Sequence, residues 1–427
     1  MKLERKISRR EMLKAMGVGA AGLYLGGKAP AVIHAAKEVN LSLWGGYPEM
    51  EPLYAKVAEA YREKNPNVTI DILSHPLREF EQKLSATIPA DTAADLIEIS
   101  VYAMQKFIEA GLIPPLPDDA RGFVTGEDHY SNFLVNNNTY QEQIYGLPLF
   151  MGRTCLFWNK TMFAEEGLDR APETFEEMRE YAKKLARYDE AGNLTRSGHS
   201  LRLSGAGSGV AEKWWFVLYP AGGSILEKVD DKYRAGYNNE AGRMALQYYI
   251  DMVYKDHSDD HKIKHDAESF ALELTAMFFR ESWVIGHMKQ HAPEVEYATA
   301  PVPKWNRWGR ITNGVNLYVT QTCQNPDVAW DFAMFMQEPD NMRMLLDEVG
   351  WLPCRQDVDY EPVLEKAPQF RWFLFTDPEY EEYGYFSIAP FDEIMTKLAE
   401  RLVAAYLDPS LVDNPDGVAK VIEDAAN

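Results

Sequence analysis

The sequence predicts an α/β protein of two lobes joined by strands that cross between them, on three observations. The chain has 427 residues, more than one hydrophobic core ordinarily serves, so two lobes are expected. Past the N-terminal segment, short apolar runs alternate with helical ones, the pattern of a parallel sheet. The run CLFW inside Thr154–Trp158 is apolar on both faces, which a strand passing from one lobe into the other requires.

The elements follow in order. Val39–Gly46 (VNLSLWGG) reads as a strand ending in two glycines, and Glu49–Asn65 as a helix with Leu53, Val57, Ala60 and Tyr61 at helical spacing. Asn65-Pro66-Asn67 breaks that helix ahead of a strand at Val68–Leu73. A helix from Leu77 to Ile88, a buried strand Ala94–Ser100 and a helix Tyr102–Ala110 ended by Gly111 come next. Pro117–Gln143 is polar and turn-rich. Gly146 and Pro148 turn the chain into the crossing strand, and Asn159-Lys160 leads into a helix. A second helix is announced by Pro172 and by a capping box, Thr174 with Glu177 three residues on. Arg187–Gly209 reads as loop, Glu212–Leu226 as an apolar, aromatic run turning at Gly222-Gly223, and Asn238–Val253 as an amphipathic helix. Asn325–Met336 is a helix capped by Asn325 with Pro326 in its first position, and Phe391–Leu407 is a long helix.

Gly146, Pro148, Leu156, Trp158, Asn159, Lys160, Gly167, Leu168, Asp169, Pro172, Thr174 and Glu177 together resemble a long, specific signature. It is that of the extracellular solute-binding proteins of family 1, the maltose-binding-protein-like receptors of ABC importers. The likeness covers nearly all of Val39–Asn427. Gly111–Leu116 (GLIPPL) fits it, Gly314–Thr320 resembles the family's return crossing, and Gly350–Pro353 its third. Within Ser269–Met288, Met277 and Trp283 fit, whereas Leu274 and Glu281 stand where glycines are usual, so the loop bearing Trp283 is expected to differ in shape. The resemblance implies a two-lobe type II periplasmic binding protein with crossing hinge strands. Lobe 1 is expected from residues 36–150 and 314–352, lobe 2 from 151–313 and 353–427. It also implies a periplasmic receptor for a sugar or oligosaccharide, monomeric, working with importer membrane subunits, without catalysis and without a cofactor. Two alternatives remain from the residues: a secreted carbohydrate-active enzyme, and a receptor for another small solute or a metal.

Residues 1–35 read as an export signal. Lys2, Arg5, Lys6, Arg9 and Arg10 precede a Gly/Ala-rich run, Ala15 to Gly27, too short and glycine-rich to anchor in a bilayer. Ser8-Arg9-Arg10-Glu11-Met12-Leu13-Lys14 looks like a twin-arginine address, with cleavage near Ala31 or Ala35. With no cysteine nearby, no lipid anchor is expected. The segment carries seven Lys/Arg and two Asp/Glu, a net of +5, so its removal takes the formal charge from −21 to −21 − 5 = −26. Such acidity argues against nucleic acid or anionic membrane as a partner, and disfavours an anionic solute unless a local basic pocket overrides it. Cys155, Cys323 and Cys354 are odd in number and lack metal-ligand spacing. Buried free thiols are expected, with a Cys323–Cys354 bridge the alternative.

Aromatic residues make up 12% of the chain, with 10 Trp and 23 Tyr. Rings suit either core packing or a sugar cleft, where flat CH faces stack on them. Ligands of parallel α/β lobes sit beyond the carboxyl ends of the strands. That places Trp44, Gly45 and Tyr47 after the first strand, and Glu98, Ser100 and Tyr102 after the third. Glu98 in an apolar strand demands a partner, and a pair of sugar hydroxyls would serve. Arg153 at the first crossing is read as facing the cleft, with an interlobe ion pair as the alternative. Glu212, Trp214 and Trp215 follow a glycine-rich loop, Trp283 stands where the family places a stacking ring, and Asn313 and Asn316 lie on the return crossing. These rings, amides and carboxylates suit a carbohydrate, since an anion would demand more Arg or Lys than lies beside them in sequence. His257, His261 and His265 recur every four residues and would share a helix face, a candidate Zn²⁺ site, or else belong to a solvated acidic turn. No G-x-S-x-G, HExxH or Walker sequence occurs, and carboxylate pairs are too common in so acidic a chain to mark a glycosidase.

Overall fold

The first strand, β1 (Val39–Gly45), alternates buried and more exposed residues and pairs in parallel with β2 (Val68–Ser74) on one side and β3 (Leu96–Ser100) on the other. Helix α1 (Glu51–Lys64) connects β1 to β2, helix α2 (Leu77–Thr87) connects β2 to β3, and α3 (Val101–Glu109) follows β3. This is the alternation the spacing predicts. The computed structural model describes residues 37–427 apart from 127 and 231, and Glu38–Asn427 forms one compact unit. The export signal read at residues 1–35 lies outside the described residues. Among those described, no helix is long and apolar enough to cross a membrane.

The crossing strand β4 (Leu147–Asn159) is longer than the apolar run alone suggests and is buried at every residue but Trp158. Its first part pairs antiparallel with β7 (Gly309–Val319), and its last part with β5 (Met277–Glu281) and β6 (Tyr297–Ala300). Strand β7 in turn reaches β3 through Val315–Val319. Two short strands, β8 (Leu352–Pro353) and β9 (Glu381–Tyr383), join β4 and β7. Among the described residues, these nine strands form one sheet in the order β5-β4-β7-β3-β1-β2, with β6 and β8 on β4 and β9 on β7. Thus β4 and β7 run from a half built on β1–β3 into a half built on β5 and β6, and β8 is a third link. Gly146 lies at φ +75°, just before β4, and an added Cβ would fall 2.6 Å from Tyr318 Cε1. The turn into the crossing therefore needs glycine on both counts.

Helices α4 (Phe175–Leu185), α5 (Gly209–Ala221) and α6 (Glu240–Tyr254) cover the second half. Thr174 caps α4 by accepting from Glu177 N–H at 3.1 Å, while Glu177 reaches back to Glu173 N–H at 2.8 Å. Asn239 caps α6 through Gly242 N–H. Apart from Glu212 and Lys213 near its start, helix α5 is apolar around its circumference, and it is almost wholly buried. It packs against α6 and against α7 (Phe391–Tyr406) in one core cluster, whereas Val358 to Phe373 packs with β1 and β4 in another. The three cysteines are buried and free.

Two stretches read as loop carry structure. The Pro117–Gln143 segment holds helices Asp118–Val124 and Asn132–Asn137, the second capped by Ser131. In Arg187–Gly209, Asp189 accepts from Ala191 and Asn193 N–H and closes a small hairpin, Arg187–Tyr188 with Leu194–Arg196. The histidine run is not helical. His257 sits at φ +50°, His261 Nε2 meets Tyr406 O at 3.1 Å, and His265 Nδ1 meets Ser200 O at 2.8 Å. With no apolar stripe to hold a helix, the run turns and its rings part. Among the described residues, no group of three His, Cys, Asp or Glu is placed to hold a metal.

His199 is fully buried beside Tyr248, and burial lowers its pKa to about 3. It stays neutral in the fold while the unfolded ring protonates near pH 6.5. Its contribution to stability is therefore present above pH 6.5 and is lost as pH falls from there toward 3, at about 1.4 kcal/mol per unit. A His199→Gln variant, melted at intervals between pH 7 and 4, is expected to lose less stability on acidification than the parent.

Candidate functional site

A cavity of about 400 Å³ lies where the two halves meet, at the carboxyl ends of β1 and β3, the position open α/β sheets favour for ligands. Tyr47 enters from the turn after β1, Ser100 and Tyr102 from the end of β3, and Arg78 from the start of α2. Facing them are Arg202 and Gly209, then Glu212 and Lys213 of α5, and Arg280 and Glu281 at the end of β5. Gly152 of β4 and Asn313 of β7 come from the crossing strands, Trp351 precedes β8, and Tyr385 follows β9. A groove of about 670 Å³ shares Tyr47 and Trp351 and adds Trp283 and His287, so the site is elongated. A separate cavity of about 360 Å³ beside Phe175 and Tyr248 draws on one half only.

Rings and charges are locked by neighbours. Tyr47 meets Phe150 and Trp351 edge-on at 5.2 and 5.8 Å. Tyr102 from one half meets Tyr385 from the other at 4.7 Å. Arg78 also spans the halves, donating to Ser208 Oγ at 2.9 Å and lying 3.6 Å from Asp392. Lys213, only 3% exposed, reaches Glu281 at 2.5 Å and Glu212 at 3.3 Å. Burial alone would raise the Glu281 carboxyl, but Lys213 and Arg280 together hold it well below the usual carboxylate range. Arg280 Nε is buried without a hydrogen-bond partner among the described residues.

The structure brings together Tyr47, Ser100, Tyr102, Glu212 and Asn313 of the residues singled out in the sequence. Trp283 lines the adjoining groove, its Nε1 3.3 Å from Glu281. The others are held elsewhere. Trp214 and Trp215 are buried in the core of the second half, Trp215 among Tyr383, Phe386 and Phe391, with no ring face left for a solute. Trp44 has Lys83 Nζ 3.5 Å from its ring centroid, so a protein cation already occupies that face. Glu98 finds its partner inside the protein: Tyr54 Oη and Gly46 N–H both donate to it. Gly45 leaves room for that carboxylate, since a Cβ there would lie 3.2 Å from Glu98 Oε2. Asn316 is buried on Asn138 and Tyr318, 3.0 Å from each.

Arg153 is not in the cleft. Its Nε lies 2.7 Å from Glu382 Oε1 as an ion pair without hydrogen-bond alignment, and it donates to Phe373 O at 3.1 Å. Burial and the neighbouring Arg310 pull its pKa down to about 10, against Glu382. Arg78, Arg202, Lys213, Arg280, Trp351 and Tyr385 are the cavity residues sequence reasoning did not assign. The basic residues missing around the sequence candidates arrive by folding.

A family model described as bacterial extracellular solute-binding protein matches residues 44–343. The chain belongs to that family. A maltotriose-binding protein of Pyrococcus abyssi is 22% identical to this member over 331 residues, 75% of this chain and 67% of the relative. An ABC transporter solute-binding protein from Thermotoga lettingae, bound with α-D-tagatose, superposes with a TM-score of 0.74 at 22% identity, covering 91% of this chain and 100% of that one. A cyclic α-maltosyl-1,6-maltose binding protein from Arthrobacter globiformis superposes at 0.73 with 21% identity, covering 91% and 98%. The fold of this family member is accordingly the two-lobe, type II arrangement of such proteins, with β4 and β7 as crossing strands.

Proposed function

We propose that the protein is an exported solute receptor of an ABC importer, that it holds a sugar or oligosaccharide between its lobes, and that it closes on the solute by hinge motion. The observation that carries this is the cavity at the crossing strands, to which both halves contribute rings, Tyr47, Tyr102, Trp351 and Tyr385, beside charged and amide side chains. Rings stack on the CH faces of a pyranose while polar groups take its hydroxyls. Because Tyr102 and Arg78 reach across to the second half, a solute touching both halves binds the closed arrangement best and shifts the population toward it. The maltotriose, α-D-tagatose and cyclic α-maltosyl-1,6-maltose bound by the relatives agree with this reading. Lobe 1 then comprises residues 36–150 and 314–352, lobe 2 comprises 151–313 and 353–427, and residues 1–35 are the twin-arginine signal that delivers a monomer to the periplasm.

Catalysis is not part of the proposal. Glu281 is held ionised by Lys213 and Arg280, and such a carboxylate is a poor proton donor for glycoside cleavage. Titration calorimetry across mono- and oligosaccharides is expected to give stoichiometric binding without turnover. Tyr102→Ala and Tyr385→Ala are each expected to weaken it by about tenfold, the order of one lost ring contact. Tight binding of a non-carbohydrate solute, with every sugar silent, would overturn the reading.

A further inference from the structure

Four cations, Arg78, Arg202, Lys213 and Arg280, face two carboxylates, Glu212 and Glu281. Lys213 and Arg280 are matched by those two carboxylates, Arg280 Nη1 lying 3.4 Å from Glu281. Arg78 is matched at the rim by Glu81 at 2.7 Å and by Asp392. Among the described residues Arg202 has neither an ion pair nor a hydrogen bond, and Glu212 and Glu281 act on it only at longer range. A guanidinium turned into a cavity beside a second one is unfavourable unless an anion arrives to share them.

From this unpaired guanidinium we infer that the solute is an acidic carbohydrate, whose single anionic group, a carboxylate or a phosphate, is taken by Arg202 with Arg280 beside it. The inference rests on the carbohydrate reading above and narrows its substrate class. Burial and the Arg280 charge outweigh the pull of Glu212 and Glu281 and hold Arg202 below its usual pKa, the direction of a cation short of a close partner. Ser100, 2% exposed, and the buried Arg280 Nε, without a hydrogen-bond partner among the described residues, line the same cavity. Helix α5 begins at the cavity at Gly209 with no side-chain cap, so the positive end of its dipole favours an anion there. The net charge of −21 gives this patch a further consequence. Long-range repulsion slows capture of an anion, so binding gains its selectivity inside the cavity rather than in approach.

The test is titration calorimetry of the full-length mature protein with three sets of probes. These are neutral sugars (glucose, maltotriose), carboxylate sugars (glucuronate, galacturonate and their oligomers), and a phosphate sugar (glucose 1-phosphate). An acidic probe is expected to bind at least about tenfold more tightly than its neutral counterpart, the scale of one charge-assisted contact. Carboxylate and phosphate arms show which oxyanion the site takes. Arg202→Gln is expected to abolish the acidic-over-neutral preference and Arg202→Lys to keep part of it, with thermal melting of each variant checking the fold. Neutral sugars bound as tightly as acidic ones, or a preference unchanged in Arg202→Gln, would overturn the inference and leave the carbohydrate reading standing. Silence from every sugar, beside binding of another solute class, would remove both.

Discussion

Replacing Glu382 by alanine is expected to cost about 3–5 kcal/mol of stability, the usual penalty for removing one partner of a buried ion pair. Glu382 stands between Arg153 and Arg310, which are 6% and 1% exposed, and accepts from Thr312 Oγ1 at 3.1 Å. Arg153 sits on β4 directly opposite Thr312 of β7, so the network ties the two crossing strands to β9. Arg310 donates also to Trp372 O and Phe375 O, fixing the segment beyond the third link. Without Glu382, two guanidinium charges stay buried side by side with only carbonyls to meet them. Denaturant unfolding of Glu382→Ala measures the loss, and a change under about 1 kcal/mol would show that the network is wet or dispensable.

Trp215→Ala is expected to cost a similar amount, about 3–5 kcal/mol for a large aromatic removed from a packed interior. The indole is 1% exposed and stacks within 6.3 Å of Tyr385, at an interplanar angle of 8°. It therefore supports from behind the ring that closes the cavity. Thermal or chemical denaturation reads the first effect. A variant that melts like the parent and has lost only solute affinity would instead make Trp215 a ligand ring, as the sequence suggests.

The contrast between these two residues and the cavity shows what sequence can carry. Periodicity is local, so β1, α1, β2, α2, β3 and α3 are legible from spacing, and the Thr174 cap from three residues. The crossing strand is legible because burial on both faces leaves an unbroken apolar run. Trp214 and Trp215 mislead when read singly, yet from Trp214 onward their helix is apolar all round, which already marks that part as interior. Glu98 shows the limit. Its need for a partner is plain in the strand, but the partner, Tyr54, comes from a helix face 44 residues away. Arg202 gives no local signal at all, because a cavity assembled between Tyr47 and Tyr385 has no linear pattern. Two short helices before residue 143 are not legible, because the first has no side-chain cap and the cap of the second, Ser131, lies among other turn formers.

Native mass spectrometry of the protein purified from its own host tests the central claim most directly, since a receptor closed on its solute should carry it through gentle purification. One non-covalent adduct is expected, of carbohydrate mass, displaced by a Tyr102→Ala change. An adduct of another class, or a carbohydrate adduct indifferent to Tyr102, would contradict a ring-lined sugar site between the two halves.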